Sequence, residues 1–166
     1  MDLYLRIAPE LYLKRLVVGG LDRVFEIGRN FRNEGVDKKH NPEFTALEAY
    51  QAYADYNDMA ELIPDLIRYV CEQVLGKPSF TFNGQEIDVS RPFPRKSIVD
   101  LVKEYAGIDL MAAKTVEEAR EMAKSIGIDA SECSNWGKVV QLVFDEKVEA
   151  NLIQPVLVLS LIHISE

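Results

Sequence analysis

Residues 31–50 read Phe-Arg-Asn-Glu-Gly-Val-Asp-Lys-Lys-His-Asn-Pro-Glu-Phe-Thr-Ala-Leu-Glu-Ala-Tyr. The flanking alternation predicts two β-strands here, about 23–34 and 43–54, joined by a loop too long for a two-residue turn and therefore able to move. An ordinary strand buries one apolar face and solvates the other. Arg32, Glu34, Phe44, Glu48 and Tyr50 instead predict a pocket floor. Side chains two apart share a face. Glu26, Gly28, Asn30, Arg32 and Glu34 therefore point one way, while Phe25, Ile27 and Phe31 point the other. On the return strand Phe44, Ala46, Glu48, Tyr50 and Ala52 share a face, and the small residues Gly28, Ala46 and Ala52 leave volume above it. The expectation is a cleft lined by a guanidinium, carboxylates and two aromatic rings, suited to a ligand that carries both anionic and cationic groups.

The chain has 166 residues, of which 48% are hydrophobic, enough for a domain with a real core. No run of about 18 apolar residues predicts a membrane span. The start, Met-Asp-Leu-Tyr-Leu-Arg, lacks the layout of a secretion signal, so the cytoplasm is the expected compartment. Cys71 and Cys133 have no metal-ligand spacing and are expected as reduced, buried thiols. A net charge of −8 argues against a surface that grips nucleic acid throughout. Lys38 and Lys39, at the loop tip, are placed either to meet a phosphate backbone or simply to solvate a turn.

Outward from the hairpin, Leu3 to Ile7 alternates like a strand, and Pro9-Glu10 opens a helix that Gly19-Gly20 ends. Asn57 is the expected N-cap of a second helix whose apolar spacing, Met59 to Val74, runs to Gly76, with a kink at Pro64. Residues 79–89 read as a hairpin around Asn83-Gly84. Amphipathic helices follow at about 97–106, 115–126 and 136–149, the middle one opened by the capping box Thr115-Val-Glu-Glu118. Residues 152–158 then read as a strand. Tyr4, Tyr12, Tyr53 and Tyr56 are expected as packing aromatics, and Trp136 as an anchor of the helical region. Glu117-Glu118 and Asp145-Glu146 are expected as solvated helix faces.

Phe31-Arg32-x-Glu34, a loop with His40, then Phe44 and Glu48, resembles the second signature motif of the class II aminoacyl-tRNA synthetases. Arg6-Ile-Ala-Pro-Glu10-Leu-Tyr-Leu-Lys-Arg-Leu, His40-Asn-Pro-Glu-Phe-Thr and Tyr50-Gln-Ala-Tyr-Ala-Asp are similar to the bacterial lysyl-tRNA synthetases rather than to the aspartyl or asparaginyl branch. The resemblance runs from residue 2 to about 158 and implies an α+β fold: a partial class II antiparallel sheet flanked by helices. It also implies a division into 1–94 (partial catalytic core), 95–150 (helical insertion), 151–158 (return strand) and 159–166. Residues 159–166 resemble the translated end of a sequencing adapter and are expected to be non-native, in which case His163 and Ser165 carry no chemistry.

The activity implied is ATP-dependent activation of lysine and its transfer to tRNA(Lys) by a homodimer. Arg32 would be catalytic, bridging the amino-acid carboxylate and the α-phosphate. Glu34 would accept from the adenine amino group, Phe44 would stack on adenine, and His40 and Asn41 would lie near the outer phosphates. Glu10, Arg32, Glu48 and Tyr50 would bind lysine, and Lys38 and Lys39 would contact the tRNA acceptor end. Other readings stand beside these: Arg32 in an ion pair with Glu34 or Glu48, Phe44 in a core, His40 in a solvated loop, Glu10 serving a helix dipole. The family's anticodon-binding barrel, first motif, third motif and magnesium carboxylates have no counterpart here, so an inactive fragment without metal ligands is expected. Two alternatives are a paralogue that attaches lysine to a translation elongation factor and a non-catalytic module binding ATP or an amino acid.

Overall fold

The computed structural model describes residues 3–33, 35–36 and 40–160. Its contacts divide the chain into two compact units, Met1–Met59 and Ala60–Glu166. Together they give an α+β architecture of helices and small sheets. Among the described residues the strands form three separate two-stranded sheets, where the sequence predicts one largely antiparallel sheet.

The first unit begins with an irregular segment, not the strand predicted for Leu3–Ile7. Helix α1, Glu10–Val18, follows Pro9, whose carbonyl accepts from the amides of Tyr12 and Leu13. It ends in a Schellman turn, with Leu21 N–H donating to Leu16 O and Gly20 to Val17 O; Gly20, at φ +100°, takes the left-handed position that such a turn requires. Strands β1, Arg23–Phe31, and β2, Glu43–Gln51, then pair antiparallel. Both strands are shorter than predicted, although one further bond, from Arg32 N–H to Pro42 O at 2.9 Å, extends the ladder toward the loop. The face bearing Glu26, Gly28 and Asn30 is the covered one. Phe25 and Ile27, on the reverse face, are 70% and 61% exposed, and Leu47 joins them.

Helix α2, Tyr56–Leu75, is capped by Asp55 instead of Asn57: the Asp55 carboxylate accepts from the amides of Asn57 (2.7 Å) and Asp58 (3.3 Å), and Asn57 lies inside the helix. The helix runs unbroken through Pro64. In the second unit β3, Ser79–Phe82, and β4, Gln85–Asp88, form the predicted hairpin. Asn83 and Gly84 both have positive φ, as a type I′ turn demands.

The main core belongs to three further helices. Ser97, Thr115 and Asn135 cap α3 (Ile98–Ala106), α4 (Val116–Ser125) and α5 (Trp136–Lys147) through their side-chain oxygens. At α4 Glu118 N–H donates to Thr115 Oγ1 at 3.2 Å, and the Glu118 carboxylate accepts from Lys114 N–H at 2.6 Å, one residue ahead of the cap. Leu101, Val102, Leu110, Ile128, Val139, Val143 and Val148 pack in their centre, and the Trp136 indole N–H donates to Leu110 O at 2.9 Å. In chain order these helices lie between β5 (Arg95–Ser97) and β6 (Leu157–Leu159), two short strands that pair parallel with Arg95 beside Leu157. The predicted strand at 152–158 starts late because a single 3-10 turn occupies 149–151 and Pro155 has no N–H to give a ladder. Tyr4, Tyr12, Tyr53 and Tyr56, expected in packing roles, are exposed in this chain. No helix among the described residues is long and apolar enough to cross a membrane.

Candidate active site

The period of two along a strand puts Phe44, Glu48 and Tyr50 on one face of β2. Directly opposite on β1 stand Asn30 beside Phe44, Gly28 beside Ala46, Glu26 beside Glu48 and Val24 beside Tyr50. Gly28 and Ala46 keep the middle of this face low. Glu26 and Glu48 are like charges set face to face, which weakens a sheet unless a cation intervenes.

One cation is Arg6, which the sequence reading passed over. Its side chain pairs with Glu26 and donates from Nε to Arg29 O at 2.8 Å, and its guanidinium lies over Gly28. No local pattern marks it, because its partner Glu26 lies 20 positions away on β1.

Arg32 follows β1 directly. Its Nε donates to Ile7 O at 3.4 Å, and its guanidinium stands 5.1 Å from the centroid of the Phe44 ring, a cation–π distance. Glu10 is the first residue of α1, and its carboxylate holds Lys14 Nζ at 2.6 Å. That ammonium lies 5.7 Å from the centre of the Tyr50 ring, so an ammonium fits between Glu10 and Tyr50. The pair is exposed and an i,i+4 contact of this kind is worth only about 0.3–0.5 kcal/mol, weak enough for a ligand to displace.

Tyr50 Oη donates to Glu48 Oε2 at 3.0 Å. Its phenol is pushed up from the ordinary value of 10.0 to about 12, first by desolvation, then by the Glu48 hydrogen bond, then by the charges of Glu48 and Glu10. At neutral pH the phenol therefore spends its proton on Glu48 and keeps its oxygen lone pairs for a donor. Because the folded state raises this pKa, the neutral phenol favours folding below pH 10, and that contribution is lost as pH climbs toward about 12. Glu48→Gln is expected to lower the Tyr50 pKa, read as tyrosinate absorbance against a Tyr50→Phe reference; an unmoved titration would remove Glu48 as a cause.

Asn30 is buried, and its Oδ1 has no partner among the described residues. A lone acceptor of that kind costs about 1–3 kcal/mol. Parity put Asn30 on the pocket face without marking it as a site residue. His40 and Asn41 sit exposed ahead of β2. Glu34, Lys38 and Lys39, predicted to meet adenine and the tRNA acceptor end, fall outside the described residues, as do His163 and Ser165. Among the described residues no three His, Cys, Asp or Glu side chains come together as a metal set.

The arrangement offers one end that is cationic and aromatic, Arg32 on Phe44, and another that is acidic, Glu48 with Tyr50 and with Glu10 at the start of α1. That polarity suits a ligand bearing an anion at one end and ammonium groups at the other. Residues 1–154 match the family model for class II tRNA synthetases (D, K and N). A lysine-tRNA ligase of Trichormus variabilis is 53% identical over 160 residues, covering 96% of this chain and 28% of that protein. One of Clostridium novyi is 52% identical over 162 residues, covering 95% and 32%. One of Thermoanaerobacter pseudethanolicus is 52% identical over 159 residues, covering 96% and 32%. The chain thus spans about a third or less of the length of the curated relatives it matches.

Proposed function

Because the chain belongs to the class II tRNA synthetases of the D, K and N group, we propose that it carries the second-motif part of the active site of a protein that activates lysine with ATP and transfers it to tRNA(Lys). The observation that carries this reading is the division of one hairpin face into an arginine–aromatic end and a carboxylate–phenol end.

In the first step a lysine carboxylate oxygen attacks the α-phosphorus of ATP, and pyrophosphate leaves. The nucleophile is ionised at neutral pH, so no general base is needed, and alignment with charge stabilisation does the catalysis. Arg32 serves both: its fork of N–H donors spans the carboxylate and an α-phosphate oxygen, which a lysine's single point charge does not. Phe44 gives the adenine ring a face to stack on, with Glu34 accepting from the adenine amino group. His40 and Asn41 stand near the outer phosphates. Glu10 takes the α-ammonium in place of Lys14, while Glu48 and the Tyr50 oxygen line the site toward the side-chain ammonium. In the second step a ribose hydroxyl of the tRNA attacks the acyl carbon and AMP leaves, with Lys38 and Lys39 against the acceptor end. Magnesium, homodimer formation and the cytoplasmic setting are part of this reading for the intact protein and rest on the family alone.

Lysine-dependent pyrophosphate exchange by a protein of the relatives' full length that carries this segment tests the proposal. Exchange with a different amino acid and none with lysine would reject it. The 166-residue chain alone is expected to charge no lysine tRNA, and measurable charging would overturn that expectation. Weak ATP binding by the isolated chain, seen by calorimetry and abolished by Arg32→Ala, is the expected remnant.

A further inference from the structure

We propose that Arg6 is a positioning residue of this site: it claims Glu26 and fastens the start of α1 to β1, and so fixes Glu10, Glu48 and Arg32 in the one arrangement that receives lysine. The inference rests on the function proposed above.

Leu3, Tyr4, Leu5 and Ile7 are all exposed and full burial begins only at Pro9, so apolar burial does not hold residues 3–7. Arg6 does. Its carbonyl accepts from Phe31 N–H at 2.9 Å, its Nε donates to Arg29 O at 2.8 Å, and its guanidinium pairs with Glu26. One residue beyond this latch, Ile7 O receives Arg32 Nε, and four residues beyond it stands Glu10. The latch therefore sets the spacing between the acid that would take the α-ammonium and the guanidinium that would take the carboxylate.

A second effect is electrostatic. Glu26 and Glu48 face each other across the ladder, and a ligand ammonium would be drawn to either. Arg6 neutralises Glu26, leaving Glu48, steadied by Tyr50, as the acid open to the ligand. Gly28 makes room for this: a Cβ at that position would run into the Arg6 guanidinium.

Two substitutions, one ahead of α1 and one on β1, should thus give one phenotype. In a protein of the relatives' full length, Arg6→Ala and Gly28→Ala are each expected to raise KM for lysine in pyrophosphate exchange by about tenfold to a hundredfold, the scale of a misplaced binding group. KM for ATP should rise by a smaller factor than KM for lysine, since Arg32 is the one ATP contact that the latch sets while Phe44 stays on β2. Arg6→Lys, which keeps the pair with Glu26 but not the full fork of donors, should recover part of the loss. Alanine is no poorer than glycine inside a strand, so Gly28→Ala tests the latch even where Arg6→Ala fails to fold. Unchanged lysine KM in folded Gly28→Ala, or an equal rise in both KM values, overturns the proposal. Absence of lysine-dependent exchange in the unsubstituted protein overturns the functional reading instead.

Discussion

Arg32→Ala, in a protein of the relatives' full length, is expected to lower kcat for lysine-dependent pyrophosphate exchange by about a hundredfold to a thousandfold, the range for removing one preorganised donor from a developing charge. The reason is geometric. Arg32 leaves β1 at the point where its backbone still pairs with Pro42, so its Cα is held by the ladder, while its side chain is steered by Ile7 O and the Phe44 ring. A guanidinium fixed in that way meets two anions without reorganising. Arg32→Lys restores the charge but neither the planar fork nor the stacking on Phe44, and is expected to recover little of the rate. Activity of Arg32→Ala within a few-fold of the unsubstituted protein would show that the guanidinium meets neither reacting anion.

The second large effect concerns stability. Leu110→Ala is expected to cost about 2–5 kcal/mol, the range for emptying a closed core site, because Leu110 is fully buried between α3 and α5. Its neighbour Met111 is 60% exposed, and Met111→Ala should stay within about 0.5 kcal/mol. Urea unfolding followed by the fluorescence of Trp136, the single tryptophan, reads this core directly, since its indole is bonded to the Leu110 carbonyl. The expected signature is a lower midpoint at unchanged slope. Equal effects of the two substitutions would mean that the 3-10 turn at Leu110–Ala112 is not packed as described.

The legible parts of the fold were those written by local chemistry. Asn83-Gly84 specified a turn with two positive φ values, Thr115 with Glu118 specified a helix start, and strict alternation specified which hairpin residues share a face. What escaped was set by partners distant in sequence or by competition between neighbours. Leu3–Ile7 alternates as a strand should, yet only Arg6 finds a backbone partner on β1, so no ladder forms. Asp55 outcompetes Asn57 for the α2 cap because an ionised carboxylate accepts amide hydrogens more strongly than an amide does. β5 and β6 are three residues each and lie about 60 positions apart, beyond the reach of any periodicity. Among the candidate site residues, the strand-borne Phe44, Glu48 and Tyr50 followed from parity. Arg6 did not, because its role depends on Glu26 and Gly28, which local patterning does not connect to it.

The short parallel pair that closes around α3, α4 and α5 dictates an order of events when the polypeptide is made. Arg95 meets Leu157 only if the intervening stretch has already shortened the path between them, since closing so long a slack loop carries an entropy cost that three ladder residues cannot repay. Helices whose own side chains fill their core collapse first and bring those two ends together. Strand pairing at β5 and β6 is then the last event to occur and the first to be undone, so its amides should exchange with deuterium sooner than those of Val139 or Val143.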